Sequence, residues 1–147
     1  MTRQRMKKGA RTSYLVARLD RLIRSQLTEI LAPFDLSVPQ YTLLSVLVHR
    51  PGLSNAQLAR RSYITAQAMH QVVNGLEERG LISRRVSPDH GRIQLTELTD
   101  DGRALLKACD EEVTSLEERI FGSLGEKGED RLRVLLEASI KFDAIEE

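Results

Sequence analysis

The chain has 147 residues, 41% of them apolar, which is one domain's worth of sequence with enough to form a core. No apolar run approaches the roughly 18 residues of a membrane span, and the basic start leads into an amphipathic segment, so no membrane contact and no signal peptide is expected, and the expected location is cytoplasmic. A single cysteine, Cys109, excludes an intramolecular disulfide framework, and a net charge of only +1 conceals a strongly basic stretch over residues 1–96 followed by a strongly acidic one over 97–147.

Residues 1–12, with Arg3, Arg5, Lys7, Lys8 and Arg11, have no apolar periodicity and read as a basic flexible arm. From Ser13 a helix places Leu15, Leu19, Leu22, Ile23, Leu27, Ile30 and Leu31 on one stripe and arginines on the other face, ending before Pro33. Ser37-Val38-Pro39-Gln40 reads as a capping box with proline in the first turn. It opens a short helix through about His49 that should bury Tyr41, Leu44, Leu47 and Val48.

Residues Ser54 to Thr99 read as a helix, a turn, a second helix and a two-stranded hairpin. Ser54-Asn55-Ala56-Gln57 is another capping box, with Leu58 and Ala59 facing inward. Ser62-Tyr63-Ile64 should form the turn, and Thr65 should cap a helix whose apolar positions are Met69, Val72, Val73 and Leu76. Gly80 stops that helix. Strands are expected over Leu81–Val86 and Arg92–Leu98, joined by the turn Ser87-Pro88-Asp89-His90-Gly91. Thr99 then caps a long helix with Asp100 and Asp101 in its first turn and Leu105, Leu106, Cys109, Val113, Leu116 and Ile120 on its apolar stripe. Gly122 and Gly125 break the chain before a last helix, from about Glu126 to Ala144, that presents Leu132, Leu135, Leu136, Ile140 and Phe142.

The fold class expected is mainly α with a small β-wing, a winged helix-turn-helix whose N- and C-terminal helices form a helical dimerisation region. Residues 36–99 are assigned to the winged unit, and residues 13–35 and 100–147 to dimerisation. The winged unit has a small core and cannot cover three further apolar stripes, so the terminal helices are expected to interdigitate with those of a second chain. A bundle within one chain is the alternative.

The ordered series Gln57-Leu58-Ala59, Leu76-Glu77-Glu78-Arg79-Gly80-Leu81-Ile82, Gly91-Arg92 and Leu98-Thr99-x-x-Gly102-Arg103-Ala104-Leu105 resembles the MarR family of bacterial transcription regulators. The resemblance extends upstream through Gln40-Tyr41, Leu43-Leu44 and Pro51-Gly52-Leu53-Ser54, and so covers nearly the whole chain. It implies a homodimeric regulator, most simply a repressor, that binds a pseudo-palindromic double-stranded DNA operator and has no catalytic role. It also implies release of DNA by a small aromatic or phenolic anion bound between the dimerisation helices and the winged unit. The wing departs from the family's usual Asp-x-Arg, because His90-Gly91 separate Asp89 from Arg92.

On the second helix of the winged unit, Gln67, Ala68, His70, Gln71 and Asn74 lie off the apolar stripe and offer a polar, uncharged surface to a major groove. Gln and Asn suit adenine, and an alanine methyl suits thymine. Charge must come from Arg60 and Arg61, from Arg79, Arg84 and Arg85 at the hairpin base, and from Arg92, the candidate for minor-groove insertion. Arg84 and Arg85 alternate in a strand, so one of them could pair with a carboxylate instead. For an effector, Tyr14, Arg18, Tyr41 and Ser45 place hydroxyls and one cation beside apolar residues, although Tyr41 could equally be core. His49, His70, His90 and Cys109 show no paired-ligand spacing, so neither a metal nor a cofactor is expected. No acid–base or nucleophile constellation suggests catalysis. The other class of function open to such a chain is a protein-interaction module that uses the winged unit without DNA.

Overall fold

The computed structural model describes residues 9–141. Most of the basic arm, residues 1–8, and the end of the last predicted helix, including Phe142 and Ala144, lie outside that range. A division between Cys109 and Asp110 separates two compact units.

The first unit begins with α1, Thr12–Leu31. Pro33 lacks an N–H and cannot extend the helix, so the chain tightens into a 3-10 turn, Ala32–Phe34, which ends at Asp35 in the left-handed region (φ 53°). Helix α2, Val38–His49, starts at the expected box: the Gln40 N–H donates to Ser37 Oγ (3.3 Å) and the Ser37 N–H to Gln40 Oε1 (3.0 Å). It buries Leu43, Leu44 and Leu47, while Tyr41 is half-buried. Val48, expected in the core, is 38% exposed. In a helix this short the buried stripe is set by what packs across it, and Leu43, not Val48, joins the core.

Helices α3, Asn55–Ser62, and α4, Ala66–Glu78, form the helix-turn-helix, with Leu58, Ala59, Met69, Val73 and Leu76 buried between them and α2. Ser54 and Gln57 complete the second box, at 3.2 and 2.9 Å. The Ala68 N–H donates to Thr65 Oγ1 (3.0 Å), which caps α4. At the other end of α4 the Gly80 N–H bonds the Glu77 carbonyl and the Leu81 N–H the Leu76 carbonyl, with Gly80 at φ +69°. This paired closure satisfies carbonyls that the helix itself leaves open.

The sheet has three strands, not the two expected: β1 (Leu53–Ser54), β2 (Ile82–Val86) and β3 (Gln94–Leu98), in the antiparallel order β1-β3-β2. A two-residue strand is too short to show alternation, and β1 is held by pairing Leu53 with Thr96 and Ser54 with Leu95. The hairpin strands start and stop within the predicted ranges, and its register pairs Ile82 with Leu98 and Arg84 with Thr96.

Helix α5, Asp100–Phe121, crosses the division. Thr99 Oγ1 accepts the Gly102 N–H (3.1 Å) and caps its start. The core of the first unit runs from Leu31 and Leu36 through the winged unit to Leu106 and Cys109, so the end of α1 and the start of α5 belong to it. The α1 stripe is therefore divided. Leu27, Ile30 and Leu31 pack on the core, whereas Leu15 (50%), Val16 and Leu22 are exposed.

In the second unit α5 continues past the division, with Leu116 buried, and a 3-10 turn, Gly122–Leu124, leads into α6, Gly125–Ile140. Leu135 (62%), Leu136 and Ile140 form an exposed apolar face on α6, and Val134 is exposed on another side of the helix. Among the described residues no single helix is long and apolar enough to cross a membrane.

Gly102 sits where α5 crosses the Leu81 carbonyl, and a Cβ there would lie 2.0 Å from that oxygen. Both groups are backbone, so the overlap cannot be relieved by rotating a side chain. Gly102→Ala is expected to destabilise the fold by about 1–3 kcal/mol in chemical denaturation. Gly91→Ala, which has open space around its site, should leave the midpoint nearly unchanged.

Candidate nucleic-acid interface

Helix α3, helix α4 and the wing meet around a cleft of about 350 Å³ lined by Ser54, Asn55, His70, Val73, Arg84 and Arg92, among others. Each element arrives there for a local reason. The capping box starts α3 at the cleft edge, and Asn55 Nδ2 donates to the Ala66 carbonyl (3.2 Å), fastening the starts of the two helices together. Beyond the last rung of the hairpin, the Ser87 N–H bonds the Ile93 carbonyl (2.7 Å) and the Ile93 N–H the His90 carbonyl (3.0 Å). That closed turn carries Arg92.

On α4, Gln67, His70 and Gln71 are exposed, and Ala68 and Asn74 are half-buried. The structure thus leaves most of the predicted reading face open. Asn74 is committed elsewhere, because its Oδ1 accepts from Arg84 Nη2 (3.2 Å). Arg84 also grips Glu77 with two hydrogen bonds of 2.8 Å, and Arg85 pairs with Glu97 at 3.0 Å. Both strand arginines pair with carboxylates, where the sequence suggests one. They lie on opposite faces of β2, and each face offers an acid, Glu77 on α4 and Glu97 on β3.

Arg79 also departs from the expectation that it serves the hairpin base. Its guanidinium donates to the Phe34 and Asp35 carbonyls. Of the arginines assigned to the interface, Arg60, Arg61 and Arg92 are left exposed without a carboxylate partner among the described residues. Asp89 makes no ion pair with Arg92; its N–H donates to Ser87 Oγ instead. Ser54 and Asn55 are site residues that the sequence alone does not single out. Their capping pattern is readable, but the β1–β3 pairing that brings them beside the wing is not.

A family model described as the MarR family matches residues 34–93. The HTH-type transcriptional repressor Rv2887 of Mycobacterium tuberculosis is 36% identical over 111 residues, which cover 76% of this chain and 80% of that protein. The chain belongs to the MarR family. It is a DNA-binding transcription regulator of the winged helix-turn-helix type. Crystal structures of Rv2887 resemble it closely: the complex with salicylic acid has a TM-score of 0.73 at 33% identity, covering 89% of this chain and 97% of that one. The complex with DNA gives 0.74 at 31%, covering 88% and 98%.

The four residues expected from the sequence to meet an effector lie on α1 and α2. There, the Arg18 guanidinium lies 5.9 Å from the centre of the Tyr14 ring, and Ser45 Oγ donates to the Tyr41 carbonyl (3.0 Å). Tyr14 and Arg18 are exposed, and Tyr41 and Ser45 are half-buried. Among the described residues no three His, Cys, Asp or Glu side chains gather as a metal site would require.

Arg84 and Glu77 form an ion pair between the wing and α4. Hydrogen bonds from Arg84 hold the Glu77 carboxyl below the ordinary value of 4.5, against an opposing but smaller effect of desolvation. A carboxyl whose folded pKa is lowered contributes stability that is complete above its unfolded pKa and is lost as pH falls through the folded one. With the Glu77 side chain 39% exposed, solvent screening limits the pair to about 0.2–1 kcal/mol. Glu77→Gln should therefore lower the thermal midpoint slightly at neutral pH, and the difference from the parent protein should vanish as pH falls below 4.5 and through the lowered folded value.

Proposed function

We propose that this regulator acts as a ligand-responsive homodimeric repressor, with α4 of each chain in the major groove of one half-site of a pseudo-palindromic operator. The observation that carries this reading is the contrast on one surface: an exposed, uncharged face at Gln67, His70 and Gln71 beside the exposed, unpaired cation of Arg92. Base edges are read by the first and phosphates or a narrow minor groove by the second. Ala68 completes the reading face, whereas Asn74, whose Oδ1 accepts from Arg84, links that face to the wing. Arg60 and Arg61 add phosphate contacts, while Arg84 and Arg85, with their charge already compensated, shape the wing.

The dimer is supported by two exposed apolar faces, Leu15–Leu22 on α1 and Leu135–Ile140 on α6. Faces of this kind favour association, and both lie within the stretches 13–35 and 100–147 assigned from the sequence to dimerisation, although the end of α1 and the start of α5 serve the core of the first unit. Similarity to a repressor supports the sign of regulation.

Selection of bound sequences from random DNA, followed by footprinting, tests the reading directly. Protection should cover two half-sites about one helical turn apart. Arg92→Ala should weaken binding and reduce the log–log salt slope by about 0.9 for each phosphate that is no longer neutralised. Gln71→Ala should relax base preference at particular positions by about 1–3 kcal/mol and leave that slope nearly unchanged. Uniform weakening across all sequences on Gln71→Ala would remove α4 from the groove. Failure to select any sequence would favour a protein-interaction module.

Response to an effector is supported by the Tyr14–Arg18 pair and by the relative solved with salicylic acid. A ligand releases DNA only through unequal affinity for the two conformations of the dimer. Salicylate is expected to raise the operator Kd at fixed salt, and Arg18→Ala to blunt that rise. Salicylate binding by calorimetry with no change in operator Kd would exclude this route.

A further inference from the structure

The two ends of α4 are held very differently. At its start the Thr65 hydroxyl and the Asn55 amide, both on short side chains of the helix-turn-helix itself, make the fastening. At its end the attachments run to other elements. Arg79 Nη1 donates to the Asp35 carbonyl and Nη2 to the Phe34 carbonyl (3.1 Å). These two carbonyls close the 3-10 turn that finishes α1, where helical carbonyls lack partners and a cation is favoured. One residue further on, Thr99 Oγ1 donates to the Gly80 carbonyl (2.7 Å) and the Thr99 N–H to the Leu81 carbonyl (3.2 Å), which binds the start of α5.

We infer that Arg79 is a positioning residue for DNA recognition. It fixes the angle between α4 and α1, and through that angle the separation of the two reading helices, without itself touching DNA. Three features make it suited to this. A guanidinium presents donors in a planar fork, so two bonds to adjacent carbonyls define an orientation as well as a distance. The residue stands at the end of the lever, where a small rotation displaces the far, groove-entering end of α4 most. Its donors are turned toward α1, so a phosphate contact would require breaking the fork. The inference rests on the dimeric DNA-binding reading above.

The test measures operator affinity for the full-length protein and its Arg79→Ala and Arg79→Gln variants. Each is titrated with the selected operator and with versions whose half-sites are one base pair closer or further apart, over a range of salt. Arg79→Ala should raise the Kd for the native spacing about tenfold, within the usual range of coupling between sites, and narrow the ratio between native and altered spacings. The salt slope should not change. Arg79→Gln, which keeps an amide donor for the carbonyls but no charge, should recover much of the spacing preference.

A slope lower by about 0.9 per chain in either variant would make Arg79 a phosphate contact and overturn the inference. So would an Arg79→Ala protein with an unchanged spacing ratio and merely a smaller active fraction, since that describes stability alone. If Arg79→Ala does not fold, Arg79→Gln against the parent decides by the same slope and ratio. Absence of operator binding by the parent protein would instead defeat the underlying reading.

Discussion

Helix α4 ends with carbonyls that its own backbone cannot satisfy, and much of the first unit is arranged around where they and their neighbours find partners. Gly80 turns the chain so that Glu77 and Leu76 are closed from within. The carbonyls of Gly80 and Leu81 then go to Thr99. That requirement brings α5 so near that only a glycine fits at position 102. From the same corner Arg79 reaches the equivalent problem at the end of α1 and solves it with one side chain. Two helix ends and one helix start thus share a single polar junction at the edge of the leucine core. The hydrophobic contacts supply most of the free energy, but the junction decides the angles.

Charge is distributed by the same logic. The basic half of the sequence does not become a uniformly positive surface, because several of its arginines are consumed internally: Arg24 by Asp20, Arg79 by carbonyls, Arg84 by Glu77 and Asn74, Arg85 by Glu97. Among the described residues, what remains for a polyanion near α4 is a small set, with Arg92 at the rim of the cleft.

Most of the architecture is legible from local signals. Ser37, Ser54, Thr65 and Thr99 mark helix starts because a cap is a contact within four residues, and Gly80 marks an end for the same reason. What escapes a reading of the sequence is whatever depends on distant neighbours. Periodicity places Val48 inside, but in the fold Leu43, not Val48, joins the core. Strand β1 is hidden because its identity lies in Thr96 and Leu95, not in itself. The alternation of Arg84 and Arg85 allows that one of them pairs with a carboxylate, but that both do, Arg84 with Glu77 on another element and Arg85 with Glu97, is visible only in the fold. Charge type is legible in a sequence, whereas charge partnership is a property of the fold.

The brief strand β1 also bears on how the chain acquires its form. Helices α3 and α4 are near neighbours in sequence and can associate as soon as both exist, whereas Leu53 must wait for Thr96, about forty residues later, before its rungs can close. Because β3 lies between β1 and β2, the wing is not a hairpin hung on a finished domain; through β1 it also takes in the segment that leads directly into α3. A chain emerging from the ribosome would hold both α3 and α4 yet lack the cleft they share with Arg92. The cleft is therefore completed late, and a nascent fragment that ends before β3 holds the α4 face without the rim that Arg92 supplies.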